Sequence, residues 1–530
     1  MLCTFMLAYL GLNSATAAPT PGDQDLIRDR QNRLLEEQRR RLEELKDLPG
    51  KEARPTAPAT PADTRCFPIK DIELKGADSL SADDRAGLLK PYTGQCLGVS
   101  QLNELLKVIT DFYLSKGRVT SRAYLPQQDL SSGHLQVLVV EGKLEALKSA
   151  PGSTVTDREL AMAFPGKVGE ALNLREVEQL VDQLNRLPSK QAQMELTPGT
   201  QIGGSEVVVK NTPQKPWRAS LSRNNDGQKS TGEQQWGAGL EWDSPLGLAD
   251  HLVLRGGHDA VSDHQKTSKN SMLYYNVPWG WWNFSYTYSE SDYRTYGMLN
   301  DFKFKQNGDN QNHQLRAERV VHRDDVSKTS VNVGLAHLRT NNYIQGMQNG
   351  IGMFDAQSQE ERDPFGNRQP NSRYRKYTAT VSYLQPFALW GESFSFSSLA
   401  TGQRSEDILF SPQRMSLGGS ASVRGFKDQQ LIGDSGGYWR NEVRWARAVT
   451  VDWLRPAFAE YGASVGYDQG VISNDRYNDR VHGRVSSNSL ELFARGKNLS
   501  TSVTFAHSLE RPAVMSEREA PIYFRMDFFL

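Results

Sequence analysis

The chain has 530 residues, of which 62 are basic, 62 are acidic and three are cysteines. The even charge balance excludes a bulk electrostatic attraction to nucleic acid. The mean hydropathy is −0.59, and no apolar run of about 18 residues follows the N-terminus, which excludes a bundle of membrane-spanning helices. A transmembrane β-barrel stays possible, because strict alternation hides its apolar residues from a hydropathy average.

The N-terminal part of the chain contains three segments of different character. An apolar stretch that ends on Ala-Thr-Ala at 15–17 predicts a secretory signal peptide over residues 1–17. Residues 18–48 are predicted to contain a helix, because 24–48 carry neither glycine nor proline. Charge covers nearly all of this helix, so it is either a coiled-coil or solvated segment or it occupies a water-filled space. Residues 49–65 are rich in proline and alanine and are predicted to form a linker.

Two cysteines remain once a signal peptide is removed. Cys3 would leave with that peptide, whereas Cys66 and Cys96 would stay in an oxidising compartment. An even pair in such a compartment favours a disulfide between them. The alternative is two unpaired core thiols.

Residues 66–142 and 143–212 are predicted to be two copies of one small α+β module. Each copy has a short capped helix, such as the one that begins at Thr156, followed by a longer helix and two strands. The longer helices begin near Gln101 and Leu174, which gives a period of about 73 residues. A repeat of this size indicates a tandem module.

Residues 213–530 read as amphipathic strands separated by polar loops. In the segment from Trp282 to Ser289, every even position is aromatic and every odd position is small and polar. A strand has a side-chain period of two, so one face is apolar and the other polar. The length allows about 16 antiparallel strands of a membrane β-barrel. The tryptophans at 279–282 are typical of a turn at a membrane interface. A soluble all-β protein is the alternative that alternation alone leaves open.

The sequence contains no recognisable catalytic signature. Walker, G-x-S-x-G and H-E-x-x-H motifs are missing, and the nine histidines are scattered without metal-ligand spacing. We therefore expect no enzyme activity, no metal and no cofactor, and we expect the barrel lumen itself to be the functional site. One segment interrupts the alternation with glycines and an arginine, from Leu417 to Phe426. On composition alone it could be a mobile surface loop.

Two short motifs in the barrel region resemble a known superfamily. Val423-Arg424-Gly425-Phe426 resembles the V-R-G-[FY] signature of the Omp85 superfamily, which lies in a loop that folds back into the barrel. The stretch Phe458-Ala459-Glu460-Tyr461-Gly462 resembles the partner motif F-x-D-x-G, with glutamate in place of aspartate. The resemblance implies an inward-folded loop around 415–430, in which Arg424 contacts Glu460 on a lumen-facing strand.

The whole layout is similar to the outer-membrane transporters of two-partner secretion, the TpsB family. That resemblance implies an N-terminal plug helix, a linker, two periplasmic POTRA domains and a 16-stranded barrel. A cysteine pair in the first POTRA domain is common in one branch of the family, which matches Cys66 and Cys96. The implied function is a pore in the outer membrane of a Gram-negative bacterium that secretes a partner exoprotein without ATP.

The partners implied by this resemblance are a TpsA-type exoprotein and outer-membrane lipid, with no nucleic acid, around a monomeric barrel. The exoprotein would be captured by strand addition to an exposed sheet edge of the POTRA domains. It could be a cytolysin, an adhesin or an inhibition toxin. Two other functions are possible: an Omp85-type insertase of outer-membrane proteins, and a passive porin. The two modules, the helix and the linker argue against an insertase, and a passive porin would not need the periplasmic repeats.

Overall fold

The computed structural model describes residues 24, 27, 28, 30–32 and 35, and then residues 66–260, 265–299, 302–324, 328–345, 347–353, 374–410, 413–473 and 481–530. The predicted signal peptide (1–17) and linker (49–65) lie outside the described residues. Within the predicted plug segment 18–48, every described residue is helical.

The first module is a three-stranded sheet with two helices packed against one face. Its sheet has the order β2-β5-β4, and β1 pairs with β3 in a separate ribbon. The first helix begins where Ser81 Oγ accepts the N–H of Asp84, and the second buries one face made of leucine, isoleucine and tyrosine. The second helix begins at Val99, two residues before the predicted start. The elements are β1 (Cys66–Pro68), β2 (Asp71–Lys75), α1 (Ala82–Leu89), β3 (Cys96–Gly98), α2 (Val99–Ser115), β4 (Arg122–Tyr124) and β5 (His134–Val140).

The second module repeats this plan with the sheet order β6-β8-β7. Its short helix begins with a reciprocal capping box, in which Thr156 Oγ1 accepts the N–H of Glu159 and the Glu159 carboxylate accepts the N–H of Thr156. The two modules are joined by a backbone hydrogen bond from Leu174 N to Gly117 O at 2.8 Å. The elements are β6 (Lys143–Ser149), α3 (Asp157–Ala163), α4 (Leu174–Asn185), β7 (Lys190–Pro198) and β8 (Gly204–Pro213).

The rest of the described chain forms one antiparallel sheet of 15 strands. Its order is β16-β15-β14-β13-β12-β11-β10-β9-β25-β24-β23-β22-β21-β18-β17, so the first and last strands in sequence are neighbours. The strands are β9 (Trp217–Asn224), β10 (Gln235–Asp243), β11 (His251–Asp259), β12 (Thr267–Trp279), β13 (Trp282–Leu299), β14 (Phe302–Arg323), β15 (Lys328–Ile344), β16 (Met347–Met353), β17 (Lys376–Leu389), β18 (Glu392–Ser405), β21 (Gly436–Ala448), β22 (Glu460–Ile472), β23 (Gly483–Arg495), β24 (Leu499–Glu510) and β25 (Ile522–Phe529). A two-stranded ribbon lies between β18 and β21, formed by β19 (Met415–Leu417) and β20 (Leu431–Gly433).

The predicted alternation sorts side chains onto the two faces of this sheet. On β22, Val465 is 60% exposed and faces outward, whereas Ser464 is buried and faces the lumen. An apolar outer face around a polar interior is the arrangement of a membrane β-barrel. Among the described residues, no helix is long and apolar enough to cross a membrane.

The second module packs against one end of the barrel, called the near end here; the opposite end is the far end. Gln183 Nε2 donates to the carbonyl of Gly280, in the turn between β12 and β13, at 3.0 Å. Arg323, at the end of β14, forms ion pairs with Glu178 and Asp182 of α4. Burial opposes ionisation of Asp182, but its hydrogen bond with Arg323 and nearby positive charge outweigh burial and lower the pKa of this carboxyl.

Candidate functional site

The ribbon β19–β20 and the residues between its strands, 415–433, form a loop that lies inside the barrel; we call it the inward loop. Leu417, Val423 and Phe426 are fully buried. They pack in one cluster with side chains from the barrel wall, namely Leu399, Tyr438, Ile472 and Val485. The segment is therefore not a surface loop. In the structure it folds inward around 415–430.

Arg424 lies at the tip of the inward loop and is fixed by two strands of the barrel wall. Its Nε and Nη2 donate to the two oxygens of Asp468 on β22, at 2.7 and 2.6 Å. Its Nη1 donates to Glu442 Oε1 on β21 at 2.6 Å. The side chain of Asp468 is fully buried, so this bidentate pair is shielded from water. Such planar, charge-assisted pairing combines strength with a defined orientation.

The predicted contact between Arg424 and Glu460 is wrong. Glu460 instead pairs with Arg444 at 2.7 Å, near the start of β22. Glu460 and Asp468 are on the same strand and face the same side, since they are separated by an even number of residues. At about 3.3 Å per residue they lie roughly 26 Å apart along the strand. Phe458 and Gly462 flank Glu460 at the near end and therefore lie away from the inward loop as well.

The acidic partner had a signal in the sequence that the prediction missed. Residues 466–470 read Gly-Tyr-Asp-Gln-Gly, which keeps the aspartate of the D-x-G pattern that residues 458–462 lack. Both glycines face the inward loop: a Cβ at Gly466 would overlap Arg424 Nη2, and one at Gly470 would lie 2.8 Å from Leu417 Cδ1. The strand thus leaves room for the loop on either side of Asp468.

A second arginine completes a compact charged cluster, which we define as Arg424, Arg440, Glu442 and Asp468. Arg440 Nη2 donates to Glu442 Oε1 at 3.0 Å, and its Nε lies 3.7 Å from Asp468 Oδ1. Arg440 Nη1 also donates to the carbonyl of Ser420 in the inward loop. Two cations and two anions balance, which lowers the cost of keeping them away from water.

The remaining residues of the loop motif each contribute to the fit. Gly425 lies so close to the wall that a Cβ there would meet Ser508 N at 2.8 Å. The carbonyl of Arg424 accepts a hydrogen bond from Tyr523 Oη at 3.0 Å. The motif therefore works as a unit: two buried apolar side chains, one paired arginine, and one glycine where no side chain fits.

The helical residues of the N-terminal segment contact the inward loop inside the barrel. Gln31 Nε2 donates to Ser416 O in the loop at 2.6 Å, and Arg30 Nη2 donates at 2.9 Å to the carbonyl of Arg414, the residue directly before the loop. Ile27 is almost completely buried, and Leu35 packs on the apolar cluster of the loop. Of the alternatives that the charge pattern left open, the water-filled space is the one in which the described helical residues lie.

Outside the lumen, Cys66 and Cys96 form a disulfide with a Cα–Cα distance of 5.3 Å, which is the predicted pairing. It joins β1 to β3 at the front of the first module. Within the described part of the chain, no group of three or more histidine, cysteine or acidic side chains has the arrangement of a metal site.

Two tandem α+β modules in front of a β-barrel, with a loop paired to the inner wall, define a membrane β-barrel protein with two N-terminal modules. Comparison with family models agrees. Residues 203–348 and 345–493 match the haemolysin secretion/activation protein family ShlB/FhaC/HecB. Residues 67–142 match a ShlB-type POTRA domain, and 143–198 match a POTRA domain. The chain belongs to the ShlB/FhaC/HecB family of TpsB transporters.

Relatives and solved structures extend over nearly the whole chain. The outer membrane transporter CdiB of Escherichia coli O6:K15:H31 is 31% identical, with 98% of this chain and 92% of the relative covered. The hemolysin transporter protein ShlB of Serratia marcescens is 30% identical, with 82% and 81% covered. The structure of CdiB from Escherichia coli superimposes with a TM-score of 0.88 at 30% identity, covering 97% of this chain and all of that one. The chain is thus an outer-membrane protein whose POTRA domains lie in the periplasm, so the near end of the barrel is the periplasmic end.

Proposed function

We propose that this chain is a translocation pore that recognises a partner exoprotein in the periplasm through its POTRA domains and secretes it to the cell surface without ATP. The proposal rests on one observation: the lumen holds two elements that could move out of it. The described helical residues and the inward loop lie inside the barrel, and both are held by side-chain contacts that can separate without breaking the barrel wall. A passive porin needs neither element, and the relatives named above are transporters.

The direction of transport follows from energetics on the two sides of the membrane. No nucleotide supply exists in the periplasm, so the free energy must come from the exoprotein. A chain that is unfolded in the periplasm and folds outside cannot return through the pore, since refolded structure is wider than an extended strand. Folding outside thus makes the passage directional.

A surface of the first module is suited to capture an extended chain. Strand β4 is at the edge of its sheet, and its Tyr124 pairs across the ladder with Leu138 of β5. Both side chains are exposed, at 51% and 41%, and Leu125 beside them is 39% exposed. Exposed apolar side chains at a sheet edge suit a β-prone segment that adds a strand. We infer that this edge contacts the exoprotein.

The function is tested by co-expression with a candidate TpsA-type exoprotein from the same organism, in a Gram-negative host without such a system. The exoprotein should reach the cell surface. Deleting residues 66–212 should leave a barrel that inserts but retains the exoprotein in the periplasm. If this deletion leaves the assembly of other outer-membrane proteins unchanged, the result argues against an insertase. Surface delivery without the POTRA domains would refute capture by them.

The capture surface is tested by Tyr124→Asp and Leu138→Asp in the full-length protein. Each should weaken binding of the exoprotein N-terminal domain in a pull-down with purified protein. Val168→Asp is the matched control, because Val168 is 57% exposed and belongs to the second module, not to the sheet of the first module. Equal binding by all three variants would mean that recognition is elsewhere.

A further inference from the structure

The carboxylate of Glu519 holds the returning limb of the inward loop from the far end of the barrel. Glu519 lies between β24 and β25. Its Oε2 accepts the backbone N–H groups of Lys427 and Asp428 at 2.6 and 3.0 Å, and its Oε1 accepts that of Gln429 at 2.8 Å. Consecutive backbone N–H groups that converge on one anion form a strong, oriented site.

Glu519 is itself fixed to the barrel wall. Its backbone N–H donates to Ser508 Oγ on β24 at 2.8 Å, and its carbonyl accepts the N–H of Ser508 at 2.9 Å. The neighbouring Glu517 adds a backbone contact, because its carbonyl accepts Nε2 of Gln429 at 3.1 Å. Glu519 therefore connects strand β24 to the inward loop: its backbone is bonded to the strand, and its carboxylate is bonded to three residues of the loop.

The same limb is also tied to the loop between β9 and β10. Lys229 Nζ pairs with Asp428 at 2.7 Å, and Lys427 Nζ pairs with Glu233. The strands next to these two far-end loops, β9 and β25, meet at a seam where five residue pairs are in register, from Arg525↔Asn224 to Phe529↔Ser220. Residues 427–429 thus bridge the loops on both sides of the seam.

We propose that Glu519 is a positioning residue that keeps the inward loop in the lumen from its outer side, independently of the charged cluster, and that the bridge it completes holds the β9–β25 seam together. The charged cluster fixes the loop tip to β21 and β22, whereas Glu519 fixes the returning limb to β24. Release of the loop then requires the charged cluster and the Glu519 contacts to open separately, in addition to the two lysine pairs, and release at Glu519 loosens the seam. The inference rests on the proposed function only in that the loop obstructs the pore.

The test uses purified, reconstituted full-length protein and no exoprotein. Glu519→Ala removes all three acceptor contacts, whereas Glu519→Gln keeps one carbonyl oxygen and should have an intermediate effect. Glu517→Ala is the matched control, since it removes the same charge from the same loop while its backbone contacts stay. We expect Glu519→Ala to raise the open probability of single channels and Glu517→Ala to behave as wild type.

The seam is measured separately with cysteines in place of Leu221 and Phe528, which are opposite each other across it. A short bismaleimide should cross-link them efficiently in the wild-type background and lose most of that yield with Glu519→Ala. Heat-modifiable mobility in gels checks that each variant folds, and Glu519→Gln serves if the alanine variant does not. An open probability and a cross-linking yield that equal those of the control in a folded Glu519 variant would overturn the proposal. The proposed function is judged separately by the co-expression experiment above: no delivery of the exoprotein to the surface by wild type, with the channel and cross-linking results as expected, would count against the proposed function instead.

Discussion

Replacing Asp468 by alanine separates the observed partner of Arg424 from the predicted one. The variant leaves a buried guanidinium with one of its two carboxylates, since Glu442 stays at 2.6 Å. Removing one member of a buried ion pair costs about 3–5 kcal/mol, and the retained Glu442 favours the lower end. A loss of about 3 kcal/mol from the loop-in state shifts its equilibrium with the loop-out state roughly a hundredfold.

The control is Glu460→Ala, which removes the same kind of charge from the same face of the same strand. The side chain of Glu460 is 38% exposed and that of its partner Arg444 is 29% exposed. Exposed pairs of this kind contribute about 0.2–1 kcal/mol. The effect of Glu460→Ala on loop position should thus be several-fold smaller in free energy than that of Asp468→Ala.

The assay is the open probability of reconstituted single channels, with secretion of the exoprotein as a second readout. Asp468→Ala should open the pore frequently and impair export, while Glu460→Ala should remain near wild type in both. The double variant Arg424→Ala, Asp468→Ala should be no worse than the worse single variant, because partners in one pair are not additive. If Glu460→Ala had the larger effect, the assignment of Asp468 as the functional partner would be refuted.

The other predictions concern the plug, the disulfide and the junction of the second module with the barrel. Deleting residues 24–48 should raise single-channel conductance in planar bilayers, and an unchanged value would contradict obstruction of the lumen. Replacing Cys66 and Cys96 by serine opens a covalent loop of 30 residues and should lower the unfolding free energy of the first POTRA domain by about 3–4 kcal/mol in denaturant titrations. The pKa of Asp182 is lowered from 3.8, so its contribution to docking is present above that value and is lost as the pH falls through the lowered pKa. Spin-label distances between this domain and the barrel should therefore be constant near neutral pH and broaden only in strong acid, and Asp182→Asn should broaden them at neutral pH.

The modules and the barrel could be predicted from the sequence because the patterns that indicate them are local. A capping pair such as Thr156 and Glu159 acts within one turn, and the alternation along β13 needs no knowledge of its neighbours. Each such pattern has one physical interpretation over a short window. The main helices and strands of the two POTRA domains therefore follow the predicted order, whereas the short β1–β3 ribbon of the first domain was not predicted.

The partner of Arg424 could not be obtained in the same way. Period-two patterning states which face of β22 a residue occupies, but it carries no information on depth in the barrel. Glu460 and Asp468 are equivalent by that criterion, and only the reach of the inward loop distinguishes them. The glycines at 466 and 470 indicate how deep the loop extends, since they mark where another segment approaches the wall. Glu519 had no sequence signal, because its three acceptor contacts are to backbone groups of a distant loop.

The contacts inside the lumen also imply an order in which the pore is cleared. The described part of the helix packs Leu35 on the apolar cluster of the loop, and it donates hydrogen bonds to carbonyls, such as that from Gln31 to Ser416 O. Each contributes about 0.5–1.5 kcal/mol, or somewhat more for an arginine donor, and water can replace the helix as donor once the segment leaves. The charged cluster costs more to open, because Asp468 is fully buried and would lose its bidentate partner before water could reach it. The helix should therefore leave first, and its departure admits the water that lowers the cost of separating Arg424 from Asp468.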